Sequence, residues 1–195
     1  MESFDVLLKR SVTEHGHLCA GQVIGVRMAM LGCRLIGIEN PRSDHERKKI
    51  MVFVEIDRCA TDAIQSVTGC RLGKRTLKFC DFGINAATFL NLETQKAYRI
   101  LSTEESRDLA FGYAPDESDP GRRQLIGYKQ MPDNELFAID RVEVVVSDCE
   151  LPGPPKKKTI CAVCGQVIRD GREVVKINRS LCRICAGMSY FSIKQ

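Results

Sequence analysis

Two clusters in this sequence carry residue types that do chemistry. Cys161-Ala162-Val163-Cys164 and Cys182-Arg183-Ile184-Cys185 are CxxC pairs separated by 17 residues. Pairs at this spacing can set four thiolates around one tetrahedral zinc ion, and four protein ligands close such a site to substrate. A redox dithiol would use one pair and leave the other unexplained. The second cluster is His15-Gly16-His17-Leu18-Cys19, which holds two of the three histidines. Imidazole and thiolate are good ligands for zinc, nickel or iron, and they are equally the parts of a Cys/His nucleophilic pair. Positions 15, 17 and 19 share a side only in extended chain, because successive members would be about 200° apart on a helix. A capping histidine and a structural cysteine would account for the same residues without chemistry.

Cys59 and Asp62 extend the second cluster. They follow the apolar run Ile50–Ile56 directly, at a strand-to-helix junction where a rigid element can fix site residues. In this pocket His17 is expected to be a neutral-imidazole ligand or base. Cys19 and Cys59 are thiolate ligands or nucleophiles, and Asp62 is an orienting carboxylate or a further ligand. The catalytic candidates are thus Cys19, Cys59 and Asp62, and the second metal site is His17, Cys19 and Cys59. Cys70 is a further thiol that could face the pocket. Cys33, Cys80 and Cys149 read as structural, and His45, in the charged run 42–49, as a solvated loop residue. Arg71-Leu72-Gly73-Lys74 is a basic loop without the GxxxxGK[ST] pattern of a phosphate-binding loop.

The elements that must position these groups are mixed. Phe4, Leu7, Leu8 and Val12 recur at helical spacing. A largely buried helix is expected from Gly21 to Leu35, which would put Cys19 near its N-terminus, where the dipole and free amides stabilise a thiolate. Ile50–Ile56 reads as a core strand. Leu77–Phe82 and Ala86–Leu90 flank Gly83 and are expected to pair. Ser102-Thr103-Glu104-Glu105 has the capping-box pattern and predicts a helix to about Phe111. A weaker helix is expected over 121–130, and Asp140–Val146 as a closing strand. This order predicts an α+β core, with helices and an antiparallel sheet, rather than a doubly wound sheet.

The run Leu151-Pro152-Gly153-Pro154-Pro155-Lys156-Lys157-Lys158 predicts a spacer, with the core at 1–150, the linker at 151–158 and the cysteine module at 159–195. Charge changes sign across it. Residues 1–150 carry 20 Lys/Arg against 23 Asp/Glu, and residues 151–195 carry nine against two. A Cys164-Gly165 knuckle, an Asp170-Gly171 hairpin between 167–168 and 173–175, and a helix opening at Cys182 would make a treble clef, with a zinc ribbon as the alternative. Surplus lysine and arginine allow phosphate contacts, but small zinc modules also dock proteins, so nucleic acid is not the favoured partner. No stretch approaches the roughly 20 apolar residues needed to span a bilayer, and Glu2 and Asp5 do not suit a secretory leader. The expectation is a cytoplasmic chain whose ten cysteines bind metal or pack, rather than form disulfides.

HGHLCAGQVIGVRMA together with CATDAIQSVTGCRLGKRTLKFCDFG resembles the FmdE family, named for a component of formylmethanofuran dehydrogenase. The family's first motif, HGHxCPGxxxGxR, is matched at His15, Gly16, His17, Cys19, Gly21, Gly25 and Arg27. The second is matched at Cys59, Asp62, Ala63, Gln65, Thr68, Gly69, Cys70, Gly73 and Lys74. The resemblance covers roughly residues 10–150, and a C-terminal cysteine module is a common attachment in the family. Ala20 stands where the family usually has proline, and Asp81-Phe82-Gly83-Ile84 replaces a usual DYGK and lacks its lysine. The resemblance implies an α+β core that forms homodimers, with His17, Cys19 and Cys59 near a cleft. It also implies an accessory or subunit-like role beside a molybdenum or tungsten oxidoreductase of one-carbon metabolism, within a larger complex. Nothing in the chain resembles a pterin-binding domain or a ferredoxin cluster run, so another component would carry that chemistry. The expected cofactors are a structural zinc and a second transition metal in the core.

Overall fold

Helix formation begins at the first amphipathic repeat. α1 (Phe4–His15) buries Leu7, Leu8 and Ser11 and stops at Gly16, which adopts φ 100° while its amide donates to the Val12 carbonyl at 2.8 Å. That left-handed cap turns the chain sharply after His15, a conformation glycine adopts without a Cβ penalty. α2 (Ala20–Leu35) is buried along most of its length, from Gln22 through Cys33. β1 (Ile50–Val54) and α3 (Cys59–Thr68) follow, joined by a short turn. This computed structural model describes residues 1–194, and they divide into two units, Met1–Val144 and a second beginning at Val145.

The remaining elements of the first unit are β2 (Leu77–Phe79), β3 (Ala86–Asn91), β4 (Ala97–Ser102), α4 (Glu105–Tyr113), α5 (Pro120–Gln130), α6 (Asp133–Leu136) and β5 (Phe137–Val142). The strands form one sheet in the order β2-β1-β3-β4-β5. The first unit is thus α+β. Three pairings are antiparallel, but β1 and β2 are parallel, with Val52 opposite Leu77 and Val54 opposite Phe79. The expected pairing of Leu77–Phe82 with Ala86–Leu90 is therefore not made. β1 lies between them, and the loop after β2 is held across the end of β1 by the Phe82 and Ile84 amides, which both donate to the Glu55 carbonyl at 3.2 Å.

Other boundaries also shift. The closing strand ends at Val142, not Val146, and β4 lies between the two expected strands. The helix from Glu105 is capped by Thr103, whose hydroxyl accepts from the Ser106 amide at 3.2 Å, because Ser102 is committed to β4. α5 has Pro120 in its first turn and Asp119 accepting from the Arg122 amide at 2.7 Å.

One sheet face, with Ile50, Val52, Val54, Ala87, Phe89 and Ile100, packs in the same core as Val23, Val26 and Met28 of α2. Each of the larger side chains contributes about 1.5–3 kcal/mol of burial. α2 and α3 approach unusually closely. A methyl group placed on Gly25 would lie 2.4 Å from the Ala60 carbonyl oxygen and 2.7 Å from the Ala63 Cβ. Buried Gln22 then tethers α3, its Nε2 donating to the Cys59 carbonyl at 2.7 Å while its Oε1 accepts from the Ser11 hydroxyl.

The second unit contains two small hairpins. β6 (Lys158–Ile160) pairs with β7 (Val167–Arg169), and β8 (Val174–Lys176) pairs with β9 (Arg179–Leu181). The proline-rich segment lies within this unit, and the Lys156 amide donates to the Asp170 carboxylate at 3.0 Å. The expected hairpin across Asp170-Gly171 forms its turn, with φ 59° and 68°, but the flanking strands take other partners. The expected helix at Cys182 is also replaced. After one turn Gly187 adopts φ 93°, its amide donates to Ile184 and the Met188 amide donates to Arg183, which ends the helical path. Two knuckles with two hairpins make the expected small four-cysteine module, closed by a single turn after Cys182 instead of a longer helix.

Candidate functional site

The four cysteines of the second unit converge as their spacing requires. The ligand atoms of Cys161, Cys164, Cys182 and Cys185 all lie within 4.8 Å of one another, an arrangement that fits a zinc finger. Backbone amides are aimed at the sulfurs. Cys182 N donates to Cys161 Sγ at 3.2 Å, and Cys185 N donates to Cys182 Sγ at 3.3 Å. Amides of Cys164, Cys182 and Val163 hold the Cys161 thiol down at about 6, favouring the thiolate. Contacts with Cys182 and Cys164 push Cys185 up to about 12, since four adjacent sulfurs cannot all ionise without a cation among them.

The core cluster is assembled differently, from the ends of three helices. His15 is the last residue of α1, Cys19 is the N-cap of α2 and Cys59 is the first residue of α3. Gly16 reverses the chain so that the His15 and His17 rings lie 4.7 Å apart. The ligand atoms of His15, His17 and Cys19 fall within 4.8 Å of one another. Tetrahedral ligands at metal–ligand distances of about 2.0–2.3 Å are separated by roughly 3.3–3.8 Å, a spacing within the 4.8 Å limit of this trio. The Asp62 carboxylate, at the first turn of α3, accepts from His15 Nδ1 at 2.8 Å. The opposite nitrogen, His15 Nε2, is buried and has no partner. A histidine oriented by a carboxylate through one nitrogen and bare at the other is the usual arrangement of an imidazole metal ligand.

The structure thus brings His17, Cys19, Cys59 and Asp62 into one region and adds His15, which the expected ligand set omits. Cys59 stands beside Cys19 rather than within the compact trio. Burial and the neighbouring Cys19 thiol both push its pKa up. His15 is legible in the His-Gly-His motif once the glycine is read as a helix stop. The buried tether Gln22 carries no signal in sequence beyond its polarity in an apolar helix.

Other sequence candidates fall elsewhere. Cys70 is buried in the hydrophobic core, where burial raises its pKa, and Cys33 nearby is likewise raised by burial and then by Cys70. Cys70 therefore faces the core and not the pocket. Cys80 and Cys149 are half-buried, and His45 is exposed. Arg27 is a structural tie. Its guanidinium donates to the carbonyls of Tyr128 (2.9 Å) and Met131 and to Asp133 Oδ1 at 2.6 Å, joining α2 to the segment after α5. No helix among the described residues is long and apolar enough to cross a membrane.

Helices over a mixed sheet, a His/Cys cluster at converging helix ends and a separate four-cysteine module define a two-unit α+β protein with two places able to hold a metal ion. The chain belongs to the FmdE family: residues 14–138 match the family described as FmdE, molybdenum formylmethanofuran dehydrogenase operon. The fold is similar to the crystal structure of a tungsten formylmethanofuran dehydrogenase FmdE-like protein from Syntrophus aciditrophicus. That match has a TM-score of 0.61 and 18% identity and covers 98% of this chain and 96% of that one. A curated relative, a probable S-adenosyl-L-methionine-binding protein of Archaeoglobus fulgidus, is 28% identical over 206 aligned residues. The alignment takes in 96% of this chain and 54% of that protein, so the chain spans about half the length of its relative.

Proposed function

We propose that this chain is a metal-binding accessory or subunit-like protein of one-carbon metabolism that serves a molybdenum or tungsten oxidoreductase. Zinc holds the finger through Cys161, Cys164, Cys182 and Cys185. A second transition metal is held in the core by His15 Nε2, His17 and Cys19, with Asp62 orienting His15. The observation that carries this reading is the buried, unpartnered His15 Nε2, whose ring is already anchored at Nδ1. Burying a nitrogen acceptor or donor without a partner costs about 1–3 kcal/mol, and a metal bond removes that cost. Three protein ligands leave a position for an exogenous ligand, which the closed finger lacks.

Family membership supports the metabolic setting, and the name of the Archaeoglobus relative adds a methyl-donor ligand to the same chemical theme. A cytoplasmic homodimer working beside a larger complex is part of the proposal. The alternative, a metal-free cysteine enzyme using Cys19 or Cys59 as nucleophile, is less favoured because Cys59 is shifted away from the thiolate. Nucleic-acid binding by the finger has less support, since Lys157, Lys176 and Arg179 are already engaged with Glu173 and the carbonyls of Ala186 and Ala162.

Metal analysis of reduced, fully loaded protein is the test. Two equivalents per chain are expected, falling to one in Cys19→Ser and, independently, to one in Cys161→Ser. A single equivalent, indifferent to Cys19→Ser and lost in Cys161→Ser, overturns the core site.

A further inference from the structure

Cys59 has no place in the compact His15, His17, Cys19 trio, yet the fold holds it against one member of that trio. Gly21, two residues after Cys19, is the point of closest approach. A Cβ built there would lie 2.8 Å from the Cys59 Cβ and 3.7 Å from the Cys19 Sγ. Both cysteines therefore border the same small space beside Gly21. The contact is fixed from behind by Gln22, which holds the Cys59 carbonyl, and by the close α2–α3 packing at Gly25. Each sulfur sits at the start of a helix, Cys19 as N-cap and Cys59 as first residue. Both are partly accessible to solvent, unlike the other juxtaposed cysteines of this unit, Cys33 and Cys70.

We propose that Cys19 and Cys59 form a redox-active dithiol whose oxidation to a disulfide controls the core metal. The inference rests on the metal reading above for its consequence, and on the paired thiols for its chemistry. A two-electron oxidant, a hydroperoxide, takes the thiolate of one cysteine to a sulfenic acid and leaves as water or an alcohol. The second thiol attacks that sulfur, the S–S bond forms and a second water leaves. The two sulfurs lose two electrons in all, and the peroxide O–O bond gains them. Because Cys19 cannot be both a disulfide sulfur and a thiolate ligand, the ion loses one of its three protein ligands and dissociates. A dithiol reductant restores the site. Cys59 is then a resolving thiol rather than a ligand.

Full-length, metal-loaded protein is treated with hydrogen peroxide, with disulfides located by peptide mapping and released metal followed with a chromogenic chelator. The expected result is a Cys19–Cys59 crosslink and loss of one metal equivalent, reversed by dithiothreitol and added metal. Cys59→Ser and Cys59→Ala are expected to bind the core metal when reduced, and to release it at least about tenfold more slowly under the same oxidant. Absence of the crosslink, or release from the Cys59 variants as fast as from the parent, overturns the proposal. Loss of the core metal in both reduced Cys59 variants, with the helical signal unchanged, also overturns it and makes Cys59 a ligand. If reduced parent protein binds only the finger metal, the metal reading fails by itself. The crosslink then still decides the dithiol.

Discussion

The finger and the core pocket both gather nitrogen or sulfur donors, but the distance the chain must travel to do so differs. In the finger, each CxxC pair is a local turn whose amides already point at sulfur, and hairpins of a few residues bring the pairs together. In the core, His15, His17 and Cys19 are close in sequence, yet Asp62 and Cys59 arrive on α3, 40 or more residues on. Their placement depends on α2 and α3 packing at Gly25 with no room for a side chain. A small finger needs its ion in order to fold. The core pocket is built by helix packing and can then offer its donors to an ion. On the proposed metal reading, the contrast makes metal in the first structural and in the second exchangeable.

The largest effect that separates the two regions should come from Cys161→Ser or strong chelation. Structural zinc contributes on the order of 10–16 kcal/mol in small fingers, so the second unit should lose its protection from proteolysis. The thermal transition of the first unit should remain. If both units unfold together, the separation is wrong.

Next in size is Gly25→Val. The added carbons meet the Ala60 backbone, which cannot yield as a flexible side chain would, and about 1–3 kcal/mol of core stability should be lost. Urea unfolding measures the loss, and core metal should weaken while finger metal is kept. A variant with unchanged stability would show that the two helices can separate without cost.

Asp62→Ala tests the orientation of His15 alone. Loss of a carboxylate behind a metal histidine lowers affinity by about 10- to 100-fold, and a competitive chelator titration should show that drop for the core ion only. The finger should be indifferent. Equal affinity in the variant would make the His15–Asp62 contact a surface ion pair and nothing more.

The smallest effects belong to two surface pairs, one in each unit. Lys49 holds the Glu93 carboxyl below its usual value through a 2.7 Å contact, and Lys157 does the same to Glu173. A depressed carboxylate pKa adds stability that is complete above the ordinary value of 4.5 and disappears as the pH falls below it. Lys49→Met should therefore lower the melting temperature of the core slightly at pH 7 and leave it unchanged near pH 3. Lys157→Met should do the same to the finger. Calorimetry at the two pH values reads both.

Much of this architecture is legible in the residues themselves. CxxC spacing names the four finger ligands, because two residues between thiols make a knuckle whatever surrounds it. Apolar patterning locates α1, α2 and β1 to within a few residues, the junction at Cys59 marks where α3 begins, and proline with an aspartate cap marks α5. Legibility fails where partners compete. Leu77–Phe79 looks like one arm of a hairpin, but β1 is the better-buried partner and takes it in parallel. Cys182–Cys185 looks like the start of a helix until Gly187 ends it after one turn. Cys70 lies in the same motif as Cys59, yet just past the end of α3 it points into the hydrophobic core.

By itself, then, the sequence determined the chemistry available: which residues can ligate, where helices begin and stop, and that a basic module follows an acidic core. Local rules of spacing, capping and periodicity act over a few residues and can be read from them. Only the tertiary structure decided which groups meet. It placed Asp62 on His15, left the second imidazole nitrogen buried and bare, and set Cys59 beside Cys19, outside the compact group of His15, His17 and Cys19. Those outcomes depend on how closely two helices approach, and that is set by packing across the whole core.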